Sequence, residues 1–123
     1  MAEWDRTVDF LVMGSGAAGM GAAVRGHDLG LDVLLVEKSE QYGGNSAISG
    51  GVCWVANNPG MAWEGIADSD EKGFEYLKHI TKGEVPDERL WLYIRESKRV
   101  LGYLHEKTHV RYIPLAKYTD YYP

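Results

Sequence analysis

The sequence predicts an α/β fold: a βαβ unit carrying an incomplete parallel sheet, followed by a mainly helical section. Three observations predict it. Two short apolar runs, 8–13 and 33–36, flank a segment rich in Ala, Gly, Val, Met and Leu. The first run stops at Gly14 and the second at an acid, Glu37. Farther on, apolar residues recur at the spacing of one helix face rather than in alternation.

Taken in order, residues 8–13 hold Val8, Phe10, Leu11, Val12 and Met13, which suit a buried strand. From Ala17 to about Leu29 the small residues suit a helix packed closely on a sheet, and Gly30 fits the position just past its end. Val33, Leu34, Leu35 and Val36 form the second strand, joined to the first by a crossover expected to be right-handed. Residues 39–62 are dense in Gly, Ser and Asn and read as loop, with brief apolar interruptions at Ile48 and at 52–55. A helix begins near Asp68, Ser69, Asp70 and Glu71, whose acids suit the positive end of a helix dipole, and ends at Lys82 and Gly83. Its apolar stripe is Phe74, Leu77 and Ile80. Pro86 and Asp87 open a longer helix to about Lys107, with Leu90, Ile94, Leu101 and Leu104 on one face. Residues 110–113 read as a strand closed by Pro114, and 118–123 form a tyrosine-rich stretch that belongs to no predicted element.

Parallel strands are stable in a sheet of several, covered on both faces. Two or three strands are expected here, so the chain is read as part of a longer polypeptide whose remainder completes the sheet. The division expected is 1–62 for the front of a cofactor-binding domain, 63–108 for a helical section, and 109–123 for the truncated start of a substrate-side segment.

Composition sets limits. A 45% hydrophobic, 25% charged chain of 123 residues fits one globular domain. No apolar run approaches the roughly 20 residues that cross a bilayer, so no transmembrane segment is expected. The start, Met1-Ala2-Glu3-Trp4-Asp5-Arg6, lacks the basic and apolar regions of a signal peptide, which makes the cytoplasm the expected location. A net charge of −5 argues against a nucleic-acid partner. The single cysteine, Cys53, excludes an internal disulfide and a multi-cysteine zinc site, and its apolar neighbours predict a buried, inert thiol.

Gly14-Ser15-Gly16-Ala17-Ala18-Gly19 fits G-x-G-x-x-G. Alone the pattern is weak. Here it follows a predicted strand and opens a predicted helix, and Glu37 ends the next strand 18 residues after Gly19. Together these read as a Rossmann-like dinucleotide-binding unit. Gly14 permits the tight turn, Gly16 lets backbone approach a pyrophosphate, and Gly19 lets helix and strand pack closely. The free N–H groups and dipole of that helix attract phosphates, and Glu37 accepts from ribose hydroxyls. An acid at that position, rather than Arg, argues against a 2′-phosphate.

The motif does not separate FAD from NAD. Directly after the ribose-binding strand, Gly43-Gly44-Asn45-Ser46-Ala47-Ile48-Ser49-Gly50-Gly51 supplies a second glycine-rich loop where a NAD domain normally continues with a helix. Its backbone N–H groups and small hydroxyls can track an extended FAD toward the flavin.

Gly14 to Gly19, Glu37-Lys38 and Gly43-Gly44-x-Ser46 together resemble the FAD-binding start of the fumarate reductase and 3-ketosteroid dehydrogenase superfamily. Ser49-Gly50-Gly51, Trp54-Val55-Ala56-Asn57-Asn58 and the terminal Asp120-Tyr121-Tyr122 resemble its ketosteroid 1-dehydrogenase branch. Asn45, where that branch more often has Thr or Ser, and Ala56, in place of a usual proline, depart from it. The resemblance implies a glutathione-reductase-like FAD domain and a flavin-dependent dehydrogenase. Ring A desaturation of a 3-oxosteroid is the leading reaction, and an external electron acceptor is needed. It also implies that Tyr121 lies in the active site, hydrogen-bonded to the tyrosine that takes the substrate proton. That base and most other catalytic groups are expected beyond Pro123, so the chain alone is expected to be inert. Two other readings are open at this stage: a superfamily flavoprotein acting on a dicarboxylate, and a non-catalytic nucleotide-binding module.

Other candidates read as structural. His27, His79, His105 and His109 are scattered, and the i, i+4 pair His105 and His109 straddles a helix end without a third ligand, so no metal site is expected. No histidine adjoins 43–51, which favours noncovalent FAD. Trp91 and Tyr93 read as packing, and Glu71-Lys72 and 96–99 as solvated helix faces.

Overall fold

The computed structural model describes residues 3–116 and 118. The chain divides into two compact units, one through Cys53 and one from Trp54.

The first unit is built on β1 (Phe10–Met13), α1 (Ala17–Asp28) and β2 (Val33–Val36). β1 and β2 pair in parallel, with Phe10 opposite Val33 and Met13 opposite Val36. Strand alternation sends Phe10 and Val12 toward α1, whose glycines let it come close. A Cβ on Gly26 would stand 2.7 Å from the Phe10 ring and 3.1 Å from the Val33 side chain. Leu11 and Met13, on the opposite face of β1, are exposed. The start of the sheet is fastened by Asp32, whose carbonyl accepts from Asp9 and Phe10 N–H and whose own N–H donates to the Asp9 carboxylate. α1 stops where Gly30 takes φ +83, the predicted cap position.

Two expectations in this unit are corrected. The segment 39–62 is not loop throughout: a single turn, α2 (Gly44–Ala47), starts from Gly43, and α3 (Pro59–Trp63) begins in the second unit. Proline at the first helical position is a start signal, but the density of Gly, Ser and Asn masked it. Cys53 is exposed rather than buried. Its apolar neighbour Val52 is itself 52% exposed, so the local sequence does not create a core there.

The second unit adds α4 (Asp70–Ile80) and α5 (Asp87–Lys107) to α3. Ser69 caps α4 by accepting from Lys72 N–H. Ile94 is fully buried and Leu90 nearly so, as the predicted stripe of α5 requires. Phe74 of α4 and Trp91 of α5 stack with centroids 4.6 Å apart. The segment 54–58 lies against α4 where Gly73 leaves room: a Cβ there would stand 2.4 Å from Ala56 Cβ. Tyr93 donates to the Trp54 carbonyl.

Lys98 does not sit on a purely solvated face, because its ammonium pairs with Asp70 in a half-buried setting. Residues 110–113 form no strand. Tyr112 N–H donates to His105 Nδ1, and the Arg111 guanidinium reaches the carbonyls of His105, Thr108 and Val110, so the side chains and backbone of this run turn back on the helix end. Apolar composition alone does not make a strand without a neighbour to pair. Among the described residues no helix is long and apolar enough to cross a membrane.

Candidate cofactor-binding site

The turn between β1 and α1 is held from both sides. Gly14 has φ +98, a conformation that side-chain-bearing residues rarely adopt, and its N–H donates to the Val36 carbonyl at 2.7 Å. Gly19 is fixed by sterics: a Cβ would lie 2.0 Å from the Gly14 carbonyl oxygen. Gly16 differs. It precedes α1 with φ −63 and ψ 174, which any residue can adopt, and a Cβ there would meet nothing within 4 Å. The protein itself therefore has no need of glycine at 16. The space a side chain would enter is part of a cleft of about 590 Å³, lined by residues 13–16, 36–38 and 44.

The N-terminus of α1 faces this region with donors to spare. Ala17 N–H donates to Ser46 Oγ at 3.2 Å. Among the described residues, the N–H groups of Gly16, Ala18 and Gly19 make no hydrogen bond. Unpaired donors at the positive end of a twelve-residue helix favour an anion.

Glu37 closes the other wall. Its Oε2 accepts from Ser15 N–H at 2.9 Å and from Ser15 Oγ–H at 2.6 Å, while Oε1 accepts from Ser39 N–H at 3.0 Å. The Ser15 hydroxyl, then the Ser15 and Ser39 amides, lower its pKa to about 2. A carboxylate offers about four acceptor positions. Three are taken by Ser15 and Ser39, and the Lys38 amide adds a weaker contribution that also favours the charged form.

The second glycine-rich loop is joined to the first. Gly43, with φ +106, donates its N–H to Ser15 Oγ at 2.8 Å. Ser46 Oγ accepts from Ala17, and the Ser49 hydroxyl donates to the Ser46 carbonyl and accepts from Gly51 N–H. Of the residues singled out in the sequence, Gly14, Ser15, Gly16, Glu37, Lys38 and Gly44 line one cleft. Ala17, Ala18 and Gly19 form the helix opening beside it, and Gly43 and Ser46 brace the turn. Asn45, Ser49, Gly50 and Gly51 are exposed and do not line it. Tyr121 lies outside the described residues.

Sequence reasoning missed the apolar walls, Met13 and Val36, and the part played by the Ser15 hydroxyl. For the walls a signal existed, because each is the last residue of a strand that feeds the cleft. Ser15 gave none, since its partners are 22 and 28 residues away.

Open backbone donors, a glycine whose Cβ would meet no protein atom, and an ionised carboxylate at the end of the next strand fit a nucleotide diphosphate and its ribose. Known proteins bear on which one. The chain is 38% identical to the 3-oxosteroid 1-dehydrogenase of Comamonas testosteroni over 97% of its own length and 21% of that protein's. The crystal structure of 3-ketosteroid Δ1-dehydrogenase from Sterolibacterium denitrificans, in complex with 1,4-androstadiene-3,17-dione, is similar with a TM-score of 0.72 and 47% identity, over 80% of this chain and 17% of that one. The 3-ketosteroid-Δ4-(5α)-dehydrogenase of Rhodococcus jostii RHA1, in complex with 4-androstene-3,17-dione, gives a TM-score of 0.76 at 28% identity, over 83% and 21%. The chain thus spans about a fifth of the length of these relatives. The sequence profile of the FAD binding domain matches residues 9–120, nearly the whole chain, and so the protein belongs to the FAD-binding-domain family.

Proposed function

We propose that the full-length protein is an FAD-dependent dehydrogenase that introduces the C1–C2 double bond into ring A of a 3-oxosteroid. This chain is the Rossmann-like part that holds the ADP end of the cofactor. The observation that carries the cofactor half of this reading is Gly16, whose missing side chain faces a cleft and serves no contact within the protein. The similarity to steroid dehydrogenases supports the substrate half.

The N–H groups of Gly16, Ala18 and Gly19 hold the diphosphate, and Glu37 Oε1, the less engaged of the two oxygens among the hydrogen bonds formed, accepts from one ribose hydroxyl. Ser46, on the second loop, keeps the Ala17 amide oriented. When bound, FAD supplies a hydride acceptor. Tyr121 hydrogen-bonds to the tyrosine that takes the proton activated by the 3-oxo group; a phenol near pKa 10 needs such a neighbour to act as a base near neutrality. Turnover would need an external electron acceptor.

Replacing Gly16 by Val in the full-length protein should remove bound flavin while leaving the thermal midpoint of the flavin-free form within about 2 °C of the flavin-free parent, since a Cβ there meets no protein atom. Flavin absorbance undiminished in the purified variant would rule out the cleft as the FAD site. With a 3-oxosteroid and an artificial electron acceptor, the expected product carries a new 1,2 double bond. A 4,5 product would assign the enzyme to the other regiochemistry, and turnover of a dicarboxylate alone would remove the steroid from the proposal.

A further inference from the structure

We propose that Ser15 is a positioning residue that couples the two glycine-rich loops: its buried hydroxyl donates to Glu37 and accepts from Gly43, so that one side chain sets both the ribose-holding carboxylate and the start of the second loop. The inference rests on the cleft being the FAD site, and goes beyond it by giving Ser15 a role other than contact with the cofactor.

Ser15 is fully buried, and its hydroxyl is engaged on both sides by protein partners. A hydroxyl has one proton to donate and lone pairs to accept with. The proton goes to Glu37 Oε2 and a lone pair takes the Gly43 N–H, at 2.6 and 2.8 Å. The Ser15 N–H binds the same Oε2 at 2.9 Å. Ser15 thus engages Oε2 twice, while Oε1 takes the Ser39 N–H. Gly43 carries φ +106 at the start of the turn that holds Ser46 against Ala17 N–H. The chain of bonds Glu37–Ser15–Gly43, continued through α2 to Ser46 and Ala17, therefore fixes both sides of the cleft before any ligand arrives. Alanine at 15 would leave the Gly43 N–H without its acceptor and Glu37 with one donor fewer.

The test uses the full-length protein stripped of FAD. Ser15→Ala should raise the FAD dissociation constant by roughly tenfold, the size expected when a hydrogen bond to a charged group is lost. In a Glu37→Ala background the same change should cost less than half as much, because part of the effect runs through Glu37. Amide hydrogen exchange in peptides covering 40–48 should quicken in Ser15→Ala. Both the coupling and the faster exchange are required; absence of either overturns the assignment. If Ser15→Ala does not fold, Ser15→Cys takes its place under the same criteria, since it keeps the volume with a weaker donor. Glu37→Ala and Gly16→Val separate the two levels. If neither weakens FAD binding, the site reading itself falls. If both do and Ser15→Ala does not, only the role of Ser15 falls.

Discussion

The turn at 14–19 and the turn at 57–70 use similar local chemistry to opposite ends. Each carries a residue in the left-handed region, Gly14 at φ +98 and Asn57 at φ +49. Each depends on a glycine that admits a close neighbour, Gly19 against the Gly14 carbonyl and Gly73 against Ala56. The second turn satisfies itself. Asn57 N–H donates to Asp68, its side-chain amide donates to Asp70, and Lys98 pairs with the same Asp70 oxygen. The first turn leaves the amides of Gly16, Ala18 and Gly19 without a partner among the described residues at the opening of α1, next to a cleft that Gly16 and Glu37 line. Buried or half-buried polar groups are normally paired within the fold. The contrast between a turn that stays open and one that closes is therefore the better guide to a ligand than either glycine pattern alone.

The largest effect expected from that contrast is at Gly19. Gly19→Ala would drive a Cβ to 2.0 Å from a backbone oxygen that cannot rotate away, at a cost above about 4 kcal/mol. Thermal melts of the full-length protein should show its transition lost or shifted far down. A midpoint like the parent's would mean the turn is not rigid. At Gly73 the clash is with a methyl group, and helix propensity gains about 1 kcal/mol, so Gly73→Ala should destabilise by about 1–2 kcal/mol. Its folded fraction should keep its flavin. Flavin lost without a change in melting would break the distinction between the two turns.

The smallest effect is electrostatic. Lys98, and then Asn57, hold the Asp70 pKa below its ordinary 3.8. A carboxyl depressed in the folded state stabilises it above the unfolded pKa, and that contribution fades as pH falls below about 3.8. Asp70→Asn should cost about 0.5–1 kcal/mol at neutral pH, with the difference from the parent narrowing in acid. Melts from pH 7 to pH 3 would test this, and a gap that widens in acid would contradict the sign.

Much of this was legible in the residues, for local reasons. β1 and β2 are continuous apolar runs, α1 is a run of small residues, α4 and α5 carry helical periodicity, and the cleft needs only the order strand, glycine turn, helix, strand, acid. What was not legible depends on distant partners. Residues 110–113 have strand composition, but the Tyr112 amide is taken by a histidine ring seven residues back. Cys53 sits among apolar letters that themselves stay exposed, and α2 and α3 are too short to show a period. Ser15 looks like filler between two glycines, and only the fold brings it to both Glu37 and Gly43.

Held ionised down to about pH 2, Glu37 is a permanent negative charge at the rim of the cleft under any condition a cell maintains. A ribose bearing its own phosphate would bring a second anion against it, and no physiological acidification would relieve the repulsion. The cleft proposed for the nucleotide should therefore prefer an unphosphorylated sugar at every pH where this carboxylate is ionised.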